Sequence, residues 1–295
     1  MKLYGNGIAL NALATGVTLE KSRGEAAYTL TVTLLKAVAD RFVKKESLAV
    51  GDAMRLLDDA GSEVFSGTVE AITRTPETVT LTACDAGLYL TRNEVCGVFA
   101  GSPDAICRTV AGKIGVAVGS LDVPAGYKSL VIRAGVSAFS VLAQAVGEDR
   151  EISVKDGKLV IEKAGETVIS LAPGQVISSS GTASVAQMVN KCAVIGRNGG
   201  TEATAQNAGD IARYGQRQRV LGKSGDAQEQ ANSALRGRVM RGELALWGDL
   251  RYRCGVKIAL DKPEWGIDAA YPVIAVKHCW KRGVFTTEMT WEAEK

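Results

Sequence analysis

Two stretches of the chain set threonine on every second residue, and no other feature narrows the fold so sharply. In Thr29-Leu30-Thr31-Val32-Thr33-Leu34 and in Thr78-Val79-Thr80-Leu81-Thr82-Ala83 an apolar residue follows each threonine. Successive side chains of a β-strand point to opposite faces, so a period of two marks a strand with one buried face and one wetted face. Met54 to Leu57 and Val64 to Ile72 read as two more strands, joined by the turn formers Asp58-Asp59-Ala60-Gly61-Ser62. Strands at this spacing with polar turns predict a small antiparallel sandwich or barrel.

The pattern then changes. Ser102-Pro103-Asp104 is a helix start, with serine as N-cap, proline at the first helical position and an acid in the first turn. Ile106, Val110 and Ile114 follow at four-residue spacing, and Gly115 can end the helix. A second helix is expected from Ser137 to Val146, with Phe139, Leu142 and Val146 on one face and Gly147 beyond it. Ile152 to Val154 and Leu159 to Ile161 read as a hairpin turning near Asp156-Gly157, a favoured type I′ pair.

The segment Thr167 to Asn190 is uncharged but is broken by Pro173, Gly174 and Ser178-Ser179-Ser180-Gly181, so it reads as a polar loop followed by structure and not as a membrane span. Val185 to Ile195 is ambiguous between strand and helix. Gly196-Arg197-Asn198-Gly199-Gly200 and the Thr/Ala/Asn/Gly stretch to Gly209 read as an exposed loop. Asp226 to Glu229 resembles a capping box, and Ala227, Ala231 and Leu235 give its helix a face. Strands resume at Glu243 to Trp247 and at Arg251 to Leu260. A closing hairpin is expected from Val273 to Cys279, a turn at Arg282-Gly283, and then Phe285, Thr287, Met289 and Trp291 alternating with polar residues. The fold class expected is therefore α+β and β-rich. Two antiparallel β domains at 1–84 and 173–295 flank a small α/β unit at 85–172, with strands after that unit able to complete the first domain. A long loop and a helix are expected near 197–238.

The chain of 295 residues offers little catalytic equipment. One histidine, His278, stands against any His-rich metal site. On a strand His278 and Cys279 point to opposite faces, so they cannot form a nucleophile–base pair; a structural histidine is the plain reading, with another Cys or Ser across the fold left open as a partner. The six cysteines, Cys84, Cys96, Cys107, Cys192, Cys254 and Cys279, form no Cys-x-x-Cys pair and read as small buried hydrophobes in a reducing compartment. The pairs Asp58-Asp59 and Glu148-Asp149 fall in turns, where Asp caps the local backbone, and sixteen aromatic residues announce no glycosidase cleft. Gly196 to Gly200 lacks the spacing of a P-loop or a dinucleotide fingerprint. Asn6 and Asn11 interrupt the apolar N-terminus before Ala12-Leu13-Ala14, which argues against a signal peptide. No catalytic, cofactor-binding or metal-ligating residue is assigned.

Charge is uneven. Between Arg197 and Arg241 eight basic residues, Arg213, Arg217 and Arg219 among them, face four acids, while the whole chain carries a net charge of only +3. Tyr214 is the sole aromatic in that segment, which argues against a stacking nucleic-acid surface and suits a polar subunit interface or a pore lining.

Four stretches resemble the central hub proteins of contractile phage tails and related injection particles. The likeness is to the shorter hub of phage-like elements in Gram-positive bacteria, akin to the late-control-D group and to the N-terminal part of type VI secretion spike proteins. Arg23-Gly24-Glu25 leading into Tyr28 to Leu35 looks like the family's early strand. Val50-Gly51-Asp52, then Leu56 and Phe65-Ser66-Gly67-Thr68-Val69, resembles its hydrophobic-Gly-Asp and Phe-x-Gly-x-Val pattern. Val189-Asn190-Lys191-Cys192-Ala193-Val194 is similar to the Asn-containing strand that opens its second part, and Val276-Lys277-His278 with Phe285-Thr286-Thr287-Glu288-Met289 to its closing hairpin. Each motif is short; their order along nearly the whole chain carries the resemblance.

The resemblance implies a homotrimer with two tube-type β-barrel domains per subunit. The six domains would form a pseudo-sixfold ring that meets the hexameric tail tube protein on one side and the trimeric central spike protein on the other, among other baseplate proteins. It implies assembly in a bacterial cytoplasm, no membrane insertion, no specific nucleic-acid partner and no cofactor. Since the chain stops at Lys295 after the hairpin, a separate spike protein is expected. The contrasting expectations are a tail-associated cell-wall hydrolase using His278 and a basic nucleic-acid-binding module.

Overall fold

The threonine-alternating segments are neighbouring strands of one large sheet, paired from Thr29 with Cys84 to Leu35 with Thr78. Their apolar residues Leu30, Val32, Leu34, Val79, Leu81 and Ala83 are buried, and the threonines between them stand half-buried on the other face. The computed structural model describes residues 1–36, 48–147, 149–172, 174–260 and 269–294. Glu148, Pro173 and Lys295 of the sequence expectations lie outside them.

The first strands are β1 (Lys2–Gly5), β2 (Ile8–Ala9), β3 (Ala14–Ser22), β4 (Thr29–Leu35), β5 (Ala53–Leu57), β6 (Glu63–Arg74) and β7 (Thr78–Asp85). A mixed segment follows: α1 (Leu88–Arg92), β8 (Gly97–Gly101), α2 (Pro103–Lys113), β9 (Ala117–Leu121), β10 (Lys128–Ile132), α3 (Ala138–Val146), β11 (Arg150–Lys155) and β12 (Lys158–Lys163). Next come β13 (Val168–Ser170), β14 (Val176–Ser184), β15 (Lys191–Ile195), β16 (Thr201–Gln206), α4 (Ala208–Tyr214), β17 (Gln218–Gly222) and α5 (Ala227–Ser233). The last strands are β18 (Val239–Trp247), β19 (Lys257–Ala259), β20 (Ala270–Lys281) and β21 (Val284–Glu294).

Among the described residues thirteen strands form the main sheet, in the order β14-β18-β21-β20-β3-β4-β7-β6-β5-β1-β2, with β19 beside β20 and β13 beside β19. The class is α+β and β-rich. The N-terminal and C-terminal strand groups meet at one seam, β3 against β20, with Leu19 opposite His278. Each group has its own core. Leu3, Val17, Leu30, Met54, Leu56 and Leu81 lie in the first, and Leu246, Tyr252, Val273, Val276, Met289 and Trp291 in the second. Trp291 lies across Gly242 on the paired strand, where a Cβ would come within 2.4 Å of the indole.

The mixed segment is an α/β unit with its own interior. Ser102 caps α2 by accepting from the Ala105 N–H, and Ser137 caps α3 by accepting from the Ser140 N–H. Val141, Leu142, Ala145 and Val146 are buried while Phe139 is only half-buried, so the packed face of α3 is rotated from the expected one. The hairpin of β11 and β12 turns at Asp156 and Gly157, both at positive φ as a type I′ turn requires. A buried ion pair, Lys21 Nζ to Glu151 Oε1 at 2.6 Å, fastens the unit to β3. The Tyr28 ring lies beside that ammonium, 5.3 Å from centroid to nitrogen, and burial raises its phenol pKa.

Between β14 and β18 the chain builds a separate lobe, the sheet β16-β15-β17 with α4 and α5. Here the sequence expectations need correction. Thr201 to Gln206 is a strand and not a loop: Ala205 faces inward between exposed Thr204 and Gln206, and alanine's small side chain carries the alternation too weakly to be read. The loop expected to run on to Gly209 is interrupted again by α4, which Asn207 caps by accepting from the Asp210 N–H. The ambiguous Val185 to Ile195 is strand only from Lys191. Ser178 to Gly181, expected in a polar loop, lies inside β14, where pairing to β18 satisfies the backbone while most side chains stay exposed. Of the strand expected from Arg251 to Leu260 only Lys257 to Ala259 is extended and paired; Tyr252, Cys254 and Val256 are buried from irregular backbone.

Candidate assembly surfaces

His278, the one histidine of the chain, lies on β20. Its Nδ1 lies 2.9 Å from the Oγ1 of Thr287, the residue directly across β21. Both side chains are buried, and the ring is flanked by Trp280 and Phe285, which stack 4.4 Å apart. Burial pushes the imidazole down to about 4. The ring is neutral, nearly fully buried and bonded to a hydroxyl of the next strand, the setting of a packing histidine. The alternation Phe285, Thr287, Met289, Trp291 was legible in the sequence; the identity of the histidine's partner was not.

The other sequence candidates are spread over the molecule. All six cysteines are free; Cys96 is exposed, and burial drives the Cys107 and Cys254 thiols up to about 12. Asp58 caps its turn by accepting from the Ser62 N–H at 2.7 Å, Asp59 pairs with the N-terminal amine, and Asp149 pairs with Arg150. Gly196 to Gly200 closes the β15–β16 hairpin through the Gly196 N–H donating to the Gly200 carbonyl. Among the described residues no group of His, Cys, Asp and Glu is placed to hold a metal ion, and no helix is long and apolar enough to cross a membrane.

What remains are surfaces. β14 ends the main sheet, and among the described residues no strand covers its outer side. Its nine residues carry neither charge nor proline, the usual guards of an open edge, and a bulge between Val176 and Ser178 is its one irregularity. Val176 and Ile177 are exposed there, as is Trp247 on the adjoining strand. Such an edge can accept another chain's strand.

The lobe supplies a second surface. Asn190 holds it together: its amide donates to the Gly215 carbonyl and accepts from the Arg217 N–H, each at 2.7 Å. Of the arginines that the sequence grouped, Arg213 lies on α4, Arg217 at the join and Arg219 on β17. A cleft of about 940 Å³ runs between the lobe and the main sheet, lined by Arg23, Arg219, Arg236, Lys257, Tyr271 and Glu292 among others. Tyr271 packs against Trp291 at 5.1 Å, and its buried hydroxyl has no hydrogen-bond partner among the described residues. Nothing in the sequence spacing announced this cleft, because its residues come from α5, β17, β19, β20, β21 and three connecting segments.

A family model described as YQBQ-like matches residues 17–292. No curated protein matches the chain in sequence. Among solved structures, the fold is similar to that of the 43 kDa tail protein of prophage MuSo2 from Shewanella oneidensis. The TM-score is 0.75 at 14% identity, over 98% of this chain and 96% of that one. A tail protein from Neisseria meningitidis is similar with TM-score 0.75 and 10% identity, over 99% and 95%. The c3393 protein of E. coli, a component of the type VI secretion system, is similar with TM-score 0.56 and 10% identity, over 99% and 76%. At these identities the likeness is one of fold.

Proposed function

The chain belongs to the YQBQ-like family, and from that footing we propose that it is a structural baseplate hub of a contractile tail or injection particle. Three copies form a ring that adapts the hexameric tail tube to the trimeric spike, with other baseplate proteins around it. Residues 1–84 and 173–295 act as the two tube-type domains of each subunit, and 85–172 is the α/β unit between them. The subunit is made in the bacterial cytoplasm and is built into the particle without catalysis, a cofactor or membrane insertion.

One observation carries this reading. The β3–β20 seam joins two core-bearing strand groups into a single wall that ends in the unguarded edge β14. A ring wall needs extended surface and open edges, and both are here. The buried state of His278 and Thr287 speaks against the wall-hydrolase alternative. Native mass measurement of the purified chain, alone and with its tube and spike neighbours, tests the proposal. A trimer that binds both neighbours and clears no cell wall on a zymogram is expected; a strict monomer that binds neither overturns it.

A further inference from the structure

The charge of this chain is divided between the two ends of its main sheet. Residues 48–85, which hold β5 to β7, contain seven acids against Arg55 and Arg74. Asp59, Glu63, Glu70 and Glu77 are exposed there. The lobe, residues 185–238, contains eight basic residues against four acids. In the sheet order β6 stands six strands from β18, on which the lobe is mounted. At about 4.8 Å per strand that is roughly 29 Å along the sheet, several times the ~8 Å screening length of physiological salt. The ion pairs described at each end stay at that end: Arg55 with Glu63 and the N-terminal amine with Asp59 at one, Lys223 with Glu202 and Arg236 with Glu292 at the other.

We propose that copies of this chain associate head to tail, with the acidic β5–β7 end of one seated against the basic lobe of the next. Carboxylates of the incoming copy enter the cleft beside Arg219 and Lys257, over Tyr271. This rests on the homotrimer reading above and specifies its contact. A contact between unlike surfaces closes into a ring, whereas a self-complementary patch would stop at a dimer. Opposite fields at opposite ends select that orientation and oppose like ends meeting. Tyr271 adds an independent reason. Its hydroxyl is already desolvated and has no acceptor among the described residues, and an arriving carboxylate supplies one. Nucleic-acid phosphate is the other anion to consider. It is disfavoured because Tyr271, the only aromatic among the described residues that line the cleft, is buried against Trp291 and presents no face for a base to stack on.

The test uses the full chain, with self-association followed by sedimentation and native mass at low and high salt. Arg219→Glu places a carboxylate at the cleft, Glu70→Lys with Glu77→Lys places two ammonium groups on the acidic end, and a third variant carries all three changes. All three positions are exposed, so folding is preserved and circular dichroism checks it. Each single-ended variant should weaken association about tenfold or more, with a reduced response to salt, and the variant changed at both ends should recover most of the loss. Tyr271→Phe should weaken association several-fold without lowering the melting temperature. An oligomer that forms equally well in every variant overturns the head-to-tail contact and leaves the hub proposal standing. A wild-type chain that stays monomeric with and without its neighbours overturns both. Loss of oligonucleotide binding in Arg219→Glu with unchanged self-association assigns the cleft to nucleic acid and overturns the contact.

Discussion

The α/β unit and the basic lobe are both small mixed structures carried on the main sheet, yet they are held together by different means. Ile106, Val110, Val141, Leu142, Leu159 and Ile161 are all but fully buried in the interior of the unit. The lobe's own cluster holds just Val194, Ala205 and Ala231, with Met188, Cys192 and Ala193 as its other buried apolar residues, and Val220 stands exposed. At about 25 cal/mol per Å² of apolar surface removed from water, so few and mostly small side chains contribute much less than the interior of the unit. Polar fastening takes over in the lobe: the two side-chain hydrogen bonds of Asn190, the caps Asn207 and Asp226, and Arg217 bonded to the Val185 carbonyl. A region built this way opens locally at low cost, which suits the head-to-tail contact proposed above.

Three measurements break or sharpen the contrast. Leu142→Ala should cost about 2–5 kcal/mol and lower the melting temperature of the whole chain, because the cavity opens in a core that cannot collapse. Calorimetry reads it, and a local effect alone would contradict the account of the unit. Asn190→Ala should cost about 1–3 kcal/mol, since it removes both half-buried hydrogen bonds that tie the α4–β17 connection to the start of β15. Hydrogen exchange should report that loss across β15, β16 and β17 while the calorimetric midpoint moves little; a matching global drop would make the lobe part of the cooperative whole. Acid should have the smallest effect. The folded His278 binds its proton only near pH 4, while the unfolded chain binds one near 6.5, so stability falls as pH drops through that window. Between pH 7 and pH 5 the loss is about 2 kcal/mol, felt by the main sheet. His278→Asn should remove that slope, and exchange in the lobe should not follow it.

Legibility in the sequence follows the same division. Where a segment pairs a strong apolar pattern with local turn or cap chemistry, as at Ser102, at Asp156-Gly157 and at Arg282-Gly283, the structure agrees closely. Asp226 also caps α5 as its spacing predicts. The lobe and β14 resisted because alanine, serine and threonine carry too little hydrophobic contrast to show a period. The main sheet resisted for another reason: the β3–β20 seam depends on which distant strands meet, and no local pattern encodes that. The basic lobe was visible as an excess of charge near Arg213 to Arg219, but the cleft that gathers Arg23, Lys257 and Tyr271 beside it exists only once the chain has folded.

The seam has a consequence for how the protein is made. Leu19 and His278 are about 260 residues apart along the chain. At roughly 5–20 residues per second on a ribosome, β3 waits about 13–50 seconds for its partner after it is synthesised. During that interval one side of β3 has only water or a passing chain to bond with, so neighbouring ribosomes on one message are the nearest source of a wrong partner. Yield should therefore respond to translation speed and to chaperone supply more than to the stability of the finished molecule.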